Sequence, residues 1–295
     1  MSAAEFSEAT ATLLVSCDDC PGLVAALAQA LFNQGANILH SDQHTDLAAG
    51  KFFQRIRFDD PELAGPDREA AANRLEATVR TVGARYGMKW QLHFEKIPRR
   101  MAIFVSKTDH CLYDLLLRHR SGELRCEIPL IVSNHETLRS VAEQFDVPFR
   151  FFPVNAENKA AVEEEEIELL RAEDIDLVVM ARYMQILSEN FIGNFEERII
   201  NIHHSFLPAF AGGRPYHQAH ERGVKLIGAT AHYATGDLDE GPIIEQDVIH
   251  VSHRESVADL VRLGRDVERT VLSRAVRVHL ESRILVHDNR TVVFA

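Results

Sequence analysis

The sequence has few of the features that mark secreted or membrane-spanning proteins. It contains only four cysteines in 295 residues, which are too few and too scattered for the disulfide framework of a small secreted domain. No stretch approaches the ~20 consecutive apolar residues that a helix needs to cross a bilayer. The first residues also lack the basic segment and apolar core of a secretion signal. We therefore expect a cytoplasmic protein that does not insert into a membrane.

Positive charge is also scarce. The chain carries 44 acidic and 32 basic residues, for a net charge of -12. A surface of this sign repels phosphates, so general binding to nucleic acid or to an anionic membrane is not expected. The hydrophobic content of 46% and the charged content of 26% are ordinary for a globular protein. The length favours two domains, each with its own core.

Metal-binding and redox patterns are weak. Cys17 and Cys20 have C-x-x-C spacing, but no second pair of cysteines or histidines lies at a ligand-like distance. Pro21 and Gly22 follow directly, as they would in a turn. The histidines show no repeated ligand spacing either. We expect no metal ion and no cofactor, and the sequence leaves open whether the two cysteines have any role.

The first ninety-odd residues alternate between short apolar strands and amphipathic helices. The predicted elements, in chain order, are a strand at Thr10–Ser16, a helix at Leu23–Phe32, strands at Asn37–Thr45 and Lys51–Phe58, a helix at Arg68–Val82 and a strand at Lys89–Glu95. The order βαββαβ predicts a ferredoxin-like domain over residues 1–95.

A short basic segment, Lys96 to Arg100, predicts the domain boundary. It contains Pro98, and the residue before a proline is pushed toward extended conformations. From 101 to 295, apolar strands alternate with helices, which predicts a Rossmann-like, mostly parallel sheet covered on both faces. The predicted helices include His110–Arg118, His135–Phe145, Asn158–Ala172 and Ser256–Leu280. The acidic run Glu163 to Glu166 is interpreted as a solvated helix face.

Three polar residues in this larger domain have the chemistry for attack on a carbonyl. Asn201 and His203 end an apolar strand predicted at Arg198–Ile202, and Asp239 follows a second apolar run. An amide can hydrogen-bond a developing oxyanion, an imidazole can move a proton near neutral pH, and a carboxylate can orient the imidazole or a water molecule. Taken singly, each residue is more readily explained as a strand end or part of a turn than as a catalytic group. Ligands in such sheets bind beyond the carboxyl ends of strands, where we expect Asn201 and His203 to lie.

The sequence motifs around these residues make the pattern specific. The chain reads Asn-Ile-His-His-Ser-Phe-Leu-Pro from Asn201, Gly-Ala-Thr-Ala-His-Tyr from Gly228, and Leu-Asp-Glu-Gly-Pro-Ile-Ile from Leu238. These motifs resemble the signature of the formyltransferases that use 10-formyltetrahydrofolate, a family that includes glycinamide ribonucleotide and methionyl-tRNA formyltransferases. The resemblance implies a catalytic triad of Asn201, His203 and Asp239.

The same resemblance implies where the folate binds. The segment after the strand predicted at Asp176–Met180 would line the pterin pocket, and the loop before Asp239 would lie opposite. The implied substrate-binding residues are Met184, Gln185, Ile186, Leu187, Ala234, Thr235, Gly236, Asp237, His232 and Gly241. His204 is a further supporting residue. The alternative is that Met184, Ile186 and Leu187 belong to the ordinary core.

The N-terminal domain also resembles a known module. Asp-x-x-Pro-Gly-Leu-Val-Ala from Asp18 and Gly-Ala-Asn-Ile from Gly35 are similar to ACT domains. The resemblance implies an amino-acid effector bound at the loop after the first strand, and sheets that pair between subunits in a homo-oligomer, either a dimer or a tetramer. The alternative is a dimerisation module that binds nothing.

The loop Ser106 to Cys111 bears on the acceptor of the formyl group. Ribonucleotide transformylases have a glycine-rich phosphate-binding loop at this point, whereas this loop has no glycine and carries Asp109, which would repel a phosphate. Without a phosphorylated acceptor, the resemblance implies hydrolysis of 10-formyltetrahydrofolate to formate, for purine synthesis, and tetrahydrofolate. Two alternatives remain: a formyltransferase with a small unphosphorylated acceptor such as an amino sugar, and a regulator that binds folate without turnover.

Overall fold

The chain divides into two compact units. The computed structural model describes residues 8–95, 97–209 and 214–295. The first unit runs to Pro98 and also includes residues 281–287 and 292–295, and the second comprises Arg99–Leu280 and 288–291. The division at Pro98 falls within the predicted boundary segment, of which residue 96 lies outside the described residues.

The first unit contains a four-stranded antiparallel sheet with two helices. Its elements are β1 (Thr10–Asp18), α1 (Leu23–Asn33), β2 (Asn37–Asp46), β3 (Lys51–Asp59), α2 (Arg68–Tyr86) and β4 (Lys89–Phe94). The strand order is β2-β3-β1-β4, and all the pairs are antiparallel. This is the order of a ferredoxin-like sheet, so the predicted fold of this domain is confirmed.

Alternation along β1 divides its side chains between two cores. Leu13 and Val15 point to the face covered by the helices and belong to a cluster with Leu27 of α1 and Leu75 of α2. Leu14 points to the opposite face, because successive side chains of a strand alternate. It is equally buried, so this sheet needs a cover on both faces.

The C-terminal residues provide the second cover. They form the hairpin β12 (Ile284–His287) and β13 (Arg290–Val293), which we had predicted as part of a domain spanning 101–295. Instead, Leu285 and Phe294 pack with Leu14 and Phe53 in one buried cluster, and most of the segment groups with the first unit. The assignment of residues 281–287 and 292–295 to the larger domain was therefore wrong.

The second unit is built on a seven-stranded sheet. Its strands are β5 (Arg99–Val105), β6 (Cys126–Ser133), β7 (Phe149–Phe151), β8 (Leu177–Met180), β9 (Ile199–His203), β10 (Leu226–Tyr233) and β11 (Ile243–His250). They lie in the order β11-β10-β9-β8-β5-β6-β7. The strands β5 to β9 pair in parallel, and β10 and β11 add antiparallel. The predicted Rossmann-like, mostly parallel sheet is confirmed.

The helices of this unit differ from the prediction mainly where they are short. They are α3 (His110–Arg120), α4 (Arg139–Gln144), α5 (Lys159–Ala172), α6 (Glu189–Asn194), α7 (Pro215–Arg222) and α8 (Val257–Leu280). Most of the helix predicted at His135–Phe145 is a 3₁₀ turn followed by α4, and α6 and α7 were not predicted. None of the described helices combines the length and the apolar character that crossing a membrane requires.

Only half of the acidic run in α5 is a solvated face, so our interpretation was wrong for the other half. Glu163 and Glu166 are both buried, and their three-residue spacing places them on the same side of the helix. The Tyr183 hydroxyl donates to Glu166 Oε1 at 3.2 Å, and the backbone N–H of Ser188 donates to Glu163 Oε1 at 3.2 Å. The two carboxylates therefore hold both ends of the loop that follows β8.

Glu166 makes stability depend on pH. Burial raises the pKa of its carboxyl to about 7, against the opposing hydrogen bond from Tyr183. The folded protein thus holds a proton that the unfolded chain releases near its ordinary pKa. The contribution is complete at low pH and is lost as pH rises toward the folded pKa, and it amounts to about 3 kcal/mol of unfolding free energy.

Glu166→Gln should remove this loss. The amide keeps an oxygen that accepts from Tyr183 and carries no charge, so we expect the variant to gain stability relative to the parent at pH 8 and to differ little at pH 5. Urea unfolding at the two pH values measures this. An equal stability difference at both pH values would contradict the assigned titration. Glu164→Gln, at an exposed position in the same helix, is the control.

Candidate active site

A cleft opens at the carboxyl ends of β8 and β9, where the edge of the parallel sheet meets the first antiparallel strand. Asn201 of β9 lies beside Met180 of β8 in the parallel pairing and opposite His232 in the antiparallel pairing with β10. The cleft has a volume of about 210 Å³, and its lining includes Asn201, His203 and Asp239. The structure therefore brings the three predicted catalytic residues together.

Register places the amide and the first imidazole in contact. Asn201 and His232 are directly paired across β9 and β10, and Asn201 Nδ2 lies 3.2 Å from His232 Nε2. His232 Nδ1 lies 3.0 Å from the carbonyl oxygen of Tyr233, which can only accept. Nδ1 therefore carries the proton, and Nε2 accepts from Asn201. Burial lowers the pKa of His232, so this neutral form is the stable one, and the second Nδ2 hydrogen of Asn201 is left for a ligand.

The second imidazole is oriented by the aspartate. Asn201 and His203 are two residues apart in a strand and so share one face. His203 Nδ1 lies 3.1 Å from Asp239 Oδ1. Burial works to raise the pKa of Asp239, but the hydrogen bond and charge of His203 outweigh it and hold that pKa below its usual value. An ionised Asp239 accepts the Nδ1 proton of His203, so Nε2 is the nitrogen that remains for chemistry.

His203 Nε2 is the nitrogen of this imidazole that points away from Asp239. It is buried and finds no hydrogen-bond partner within the described residues 8–95, 97–209 and 214–295. Buried polar atoms normally have a hydrogen-bond partner, so we expect a ligand or a water molecule to bind here. The atom belongs to the same cleft as Asn201, so a proton acceptor and an amide donor converge on one volume.

Gly241 is needed for the return of the chain to the sheet. A Cβ added there would lie 1.8 Å from the carbonyl oxygen of Tyr233, while the N–H of Tyr233 donates to the carbonyl of Pro242 at 2.9 Å. The backbone thus passes too close to β10 for any side chain. Asp239, two residues earlier, has a φ of 59°. This tight return sets the position of its carboxylate.

Most of the predicted substrate-binding residues line the cleft. Those that do are Met184, Gln185, Ile186, Leu187, His232, Ala234, Thr235 and Asp237, together with the supporting residue His204. Gly236 and Gly241 are not among the lining residues. Met184 and Ile186 are 59% and 56% exposed, so they are not ordinary core residues, whereas Leu187 is buried in the main cluster of this unit.

The loop after β5 is hydrogen-bonded to a segment that lines the cleft. The Ser106 hydroxyl donates to Asn134 Oδ1 at 2.7 Å and accepts from the backbone N–H of Met184 at 3.0 Å. The serine at the start of this loop is thus already satisfied by protein groups. The exposed Asp109 follows it and adds negative charge, as the sequence indicated.

A buried polar network beside the cleft was missed by the sequence reasoning. Glu268 of α8 accepts a hydrogen bond from the Tyr216 hydroxyl at 2.6 Å, and its other oxygen lies 2.9 Å from His110 Nε2 and 3.5 Å from Arg182 Nε. Its signal in the sequence was a glutamate on the apolar face of α8, one turn beyond Gly264. Glu268 is buried, which normally raises a carboxyl pKa, but His110 and Arg182 hold its pKa below the usual value.

His204 joins this network to the catalytic residues. Its ring centroid lies 5.2 Å from that of His203 and 5.9 Å from that of Tyr216. Burial, followed by the positive charge of Arg182, lowers the pKa of His204 to about 3. His204 is therefore neutral at physiological pH and does not supply a proton to the cleft.

One group in the described chain has the geometry of a metal site. Donor atoms of His110, Cys111 and Glu268 lie within 4.8 Å of one another. Burial raises the pKa of Cys111 well above its usual value, which disfavours the thiolate that binds metals, and Arg182 already places a cation beside Glu268. An ion-pair network accounts for this group better than a metal does. The absence of a metal remains a prediction.

Comparison with known proteins places these features in a family. Residues 99–276 match the family model described as formyl transferase. The chain is 57% identical to the formyltetrahydrofolate deformylase of Synechocystis sp., over 97% of this chain and 99% of that protein.

Solved structures agree with this match. The crystal structure of a formyltetrahydrofolate deformylase from Pseudomonas syringae is 43% identical, with a TM-score of 0.92 over 97% of this chain and 94% of that chain. A glycinamide ribonucleotide transformylase from Symbiobacterium toebii is 29% identical, with a TM-score of 0.64 over 67% of this chain and 95% of that chain. The identities, the near-complete coverage and the matched fold show that this chain belongs to the formyltetrahydrofolate deformylase family of formyl transferases.

Proposed function

We propose that this protein hydrolyses 10-formyltetrahydrofolate to formate and tetrahydrofolate. The observation that carries the proposal is the contact of 3.1 Å between His203 Nδ1 and Asp239 Oδ1. It leaves His203 Nε2 buried in the cleft beside Asn201, with no hydrogen-bond partner among the residues that the structure describes. Membership of the deformylase family supports the substrate. The formyl carbon is the electrophile, and water is the acceptor.

The folate would bind with its pterin ring in the cleft. The exposed side chains of Met184 and Ile186 would offer apolar contact on one side of the ring. Ala234, Thr235 and Asp237 also line the cleft and would lie on the other side. Backbone groups of these two segments would hydrogen-bond the polar edge of the ring. N10 and its formyl group would then reach Asn201 and His203.

In the proposed mechanism, His203 acts first as a base. Its Nε2 takes a proton from water as the water oxygen bonds to the formyl carbon, and Asp239 stabilises the imidazolium through Nδ1–H. The second Nδ2 hydrogen of Asn201 donates to the oxyanion of the tetrahedral intermediate. The imidazolium then gives its proton to N10 as the carbon–nitrogen bond breaks. Formate leaves after losing its own proton, and tetrahydrofolate is released.

Transfer to an amine is the less favoured alternative. A phosphorylated acceptor would approach Asp109 and a loop without glycine, and the relatives at 57% and 43% identity are named as deformylases. A small unphosphorylated acceptor remains an outcome that the assay below distinguishes. The formate would feed purine synthesis.

The location and the role of the first unit belong to this proposal. The four cysteines are free thiols, which supports a reducing, cytoplasmic location. We assign the ACT-like first unit to regulation, with an amino acid bound at the loop after β1. We also assign a homo-oligomer, either a dimer or a tetramer, formed through β2. This strand lies at the edge of the four-stranded sheet and exposes Ile38 and Leu39, and an edge strand can pair with a strand of another chain.

The first test is formate release from 10-formyltetrahydrofolate with no acceptor present. Asn201→Ala, His203→Ala and Asp239→Ala should each lower turnover by at least about a hundredfold, because each removes a general acid–base or oxyanion contribution. His220→Ala, at an exposed position of α7, is the control and should match the parent. Formate release that requires an added amine would show a transferase instead, and bound folate without turnover would show a regulator.

Gly241→Ala tests the tight return of the chain. The added methyl group would meet the carbonyl of Tyr233 and displace the loop that carries Asp239. A misplacement of about 1 Å in a catalytic group can cost ~10²-fold in rate, so we expect a loss approaching that of Asp239→Ala. Gly193→Ala, where nothing lies within 4 Å of the new Cβ, is the matched control. Full activity in Gly241→Ala would show that the loop is not constrained.

The oligomer is tested by charging the edge strand. Ile38→Lys combined with Leu39→Lys should convert the oligomer to a smaller species, because the lysines oppose strand pairing. Analytical ultracentrifugation measures the mass. Val293→Lys, an exposed apolar position on the C-terminal hairpin, should leave the mass unchanged. An unaltered mass in the double variant would exclude β2 as the interface.

A further inference from the structure

Arg182, at the wall of the catalytic cleft, has two guanidinium nitrogens without a hydrogen-bond partner in the part of the chain that the structure describes. Its side chain is 15% exposed, and Glu268 Oε2 forms an ion pair with it at 3.5 Å from Nε, longer than an ordinary hydrogen bond. Nε and Nη1 are both buried and have no hydrogen-bond acceptor among the described residues. Buried guanidinium groups are normally hydrogen-bonded, so a missing partner has to be identified.

The position of Arg182 is fixed by the surrounding residues. It follows β8 with a φ of 65°, a conformation that side-chain-bearing residues keep only where the surroundings impose it. Glu268, beside it, is held by Tyr216 and His110. Gly264 makes room for the Tyr216 hydroxyl, since a Cβ there would lie 1.9 Å from that oxygen. Glu268 is therefore held beside Arg182. Its charge stabilises the guanidinium, but it does not hydrogen-bond Nε.

Arg182 lies near the reacting end of the cleft. It lines the same cleft as Asn201 and His203. Burial, and then the positive charge of Arg182, lower the pKa of His204, whose ring lies beside that of His203. With the folate placed as in the proposed function, this is the end at which the formyl group is attacked. The terminal carboxylates of the folate, at the far end of that molecule, are not its partners.

The chemistry of the reaction supplies the missing partner. The formyl group is neutral in the substrate and becomes a carboxylate in the product. A guanidinium presents paired N–H donors that match the two oxygens of a carboxylate. We propose that Arg182 forms a subsite for formate beside the catalytic residues, and this assignment of the ligand rests on the proposed function. The subsite takes a small monocarboxylate and discriminates product from substrate by charge.

The subsite would act after the carbon–nitrogen bond has broken and formate has formed. Formate forms next to the ionised Asp239, which repels it. A fixed cation on the His204 side offsets that repulsion and holds the formate away from the newly formed amine of tetrahydrofolate. Formate should therefore inhibit hydrolysis by occupying Arg182, and it should bind to the protein without folate present.

The experiment measures binding of ¹³C-formate to the folate-free protein by NMR line broadening. Arg182→Gln should weaken binding by about tenfold or more, since hydrogen bonds to charged groups contribute about 1.5–3 kcal/mol. Arg182→Lys, which keeps the charge and loses the paired donors, should fall between the two. Arg222→Gln, at an exposed position of α7, is the matched control. Equal formate binding in the parent protein and Arg182→Gln would overturn the proposal.

A second measurement observes formate binding in the parent protein directly, and a variant is needed only to assign the signal. Formate should shift the Nε–H signal of one buried arginine in a ¹⁵N spectrum, and the shifted signal should be the one missing from Arg182→Lys. No shifted arginine signal would also overturn the proposal. A guanidinium salt should restore formate binding to Arg182→Ala, which a purely structural role for Arg182 would not permit.

The two proposals fail in different ways. If formate binds through Arg182 but none is released from 10-formyltetrahydrofolate, the hydrolytic function is wrong and the carboxylate subsite stands. If formate is released at the expected rate and its binding does not depend on Arg182, the function stands and the subsite is wrong.

Discussion

The hydrogen-bonded pair of His203 and Asp239 is the contact on which the remainder of the site depends. It requires a strand that ends with two polar residues on one face, and an antiparallel strand that brings the chain back to the same edge. β9 meets the first requirement, and β10 with the tight passage at Gly241 meets the second. Once the pair forms, the tautomer of His203 and the free nitrogen follow from simple acid–base chemistry.

The larger part of this arrangement could be predicted from the sequence. Period-two alternation placed Asn201 and His203 on one face, and the alternation of strands and helices gave the parallel sheet at whose edge they lie. The cover on the small sheet could not be predicted in the same way, because Leu14 and Phe53 meet Leu285 and Phe294 across more than two hundred residues. Local patterns carry no information about such distant partners.

The sequence pattern also failed to predict which carboxylates are buried. Two of them show why. Glu166 and Glu268 both sit on helices rich in charge, and both are almost fully buried. Glu166 accepts a hydrogen bond from a tyrosine hydroxyl, and burial raises its pKa to about 7. Glu268 has a histidine and an arginine, and its pKa falls. The partners determine the protonation state of a buried carboxylate, and these partners come from other elements of the fold.

The return of the C-terminal hairpin to the first sheet has a consequence for synthesis. Domains emerging from the ribosome usually fold in order from the N-terminus. Here the first unit has one apolar face that stays uncovered until Phe294 has emerged, so the second unit, which is largely complete at Leu280, can finish folding before the first. During that interval Leu14 and Phe53 form an open apolar surface on the nascent chain, which is the kind of surface that chaperones shield.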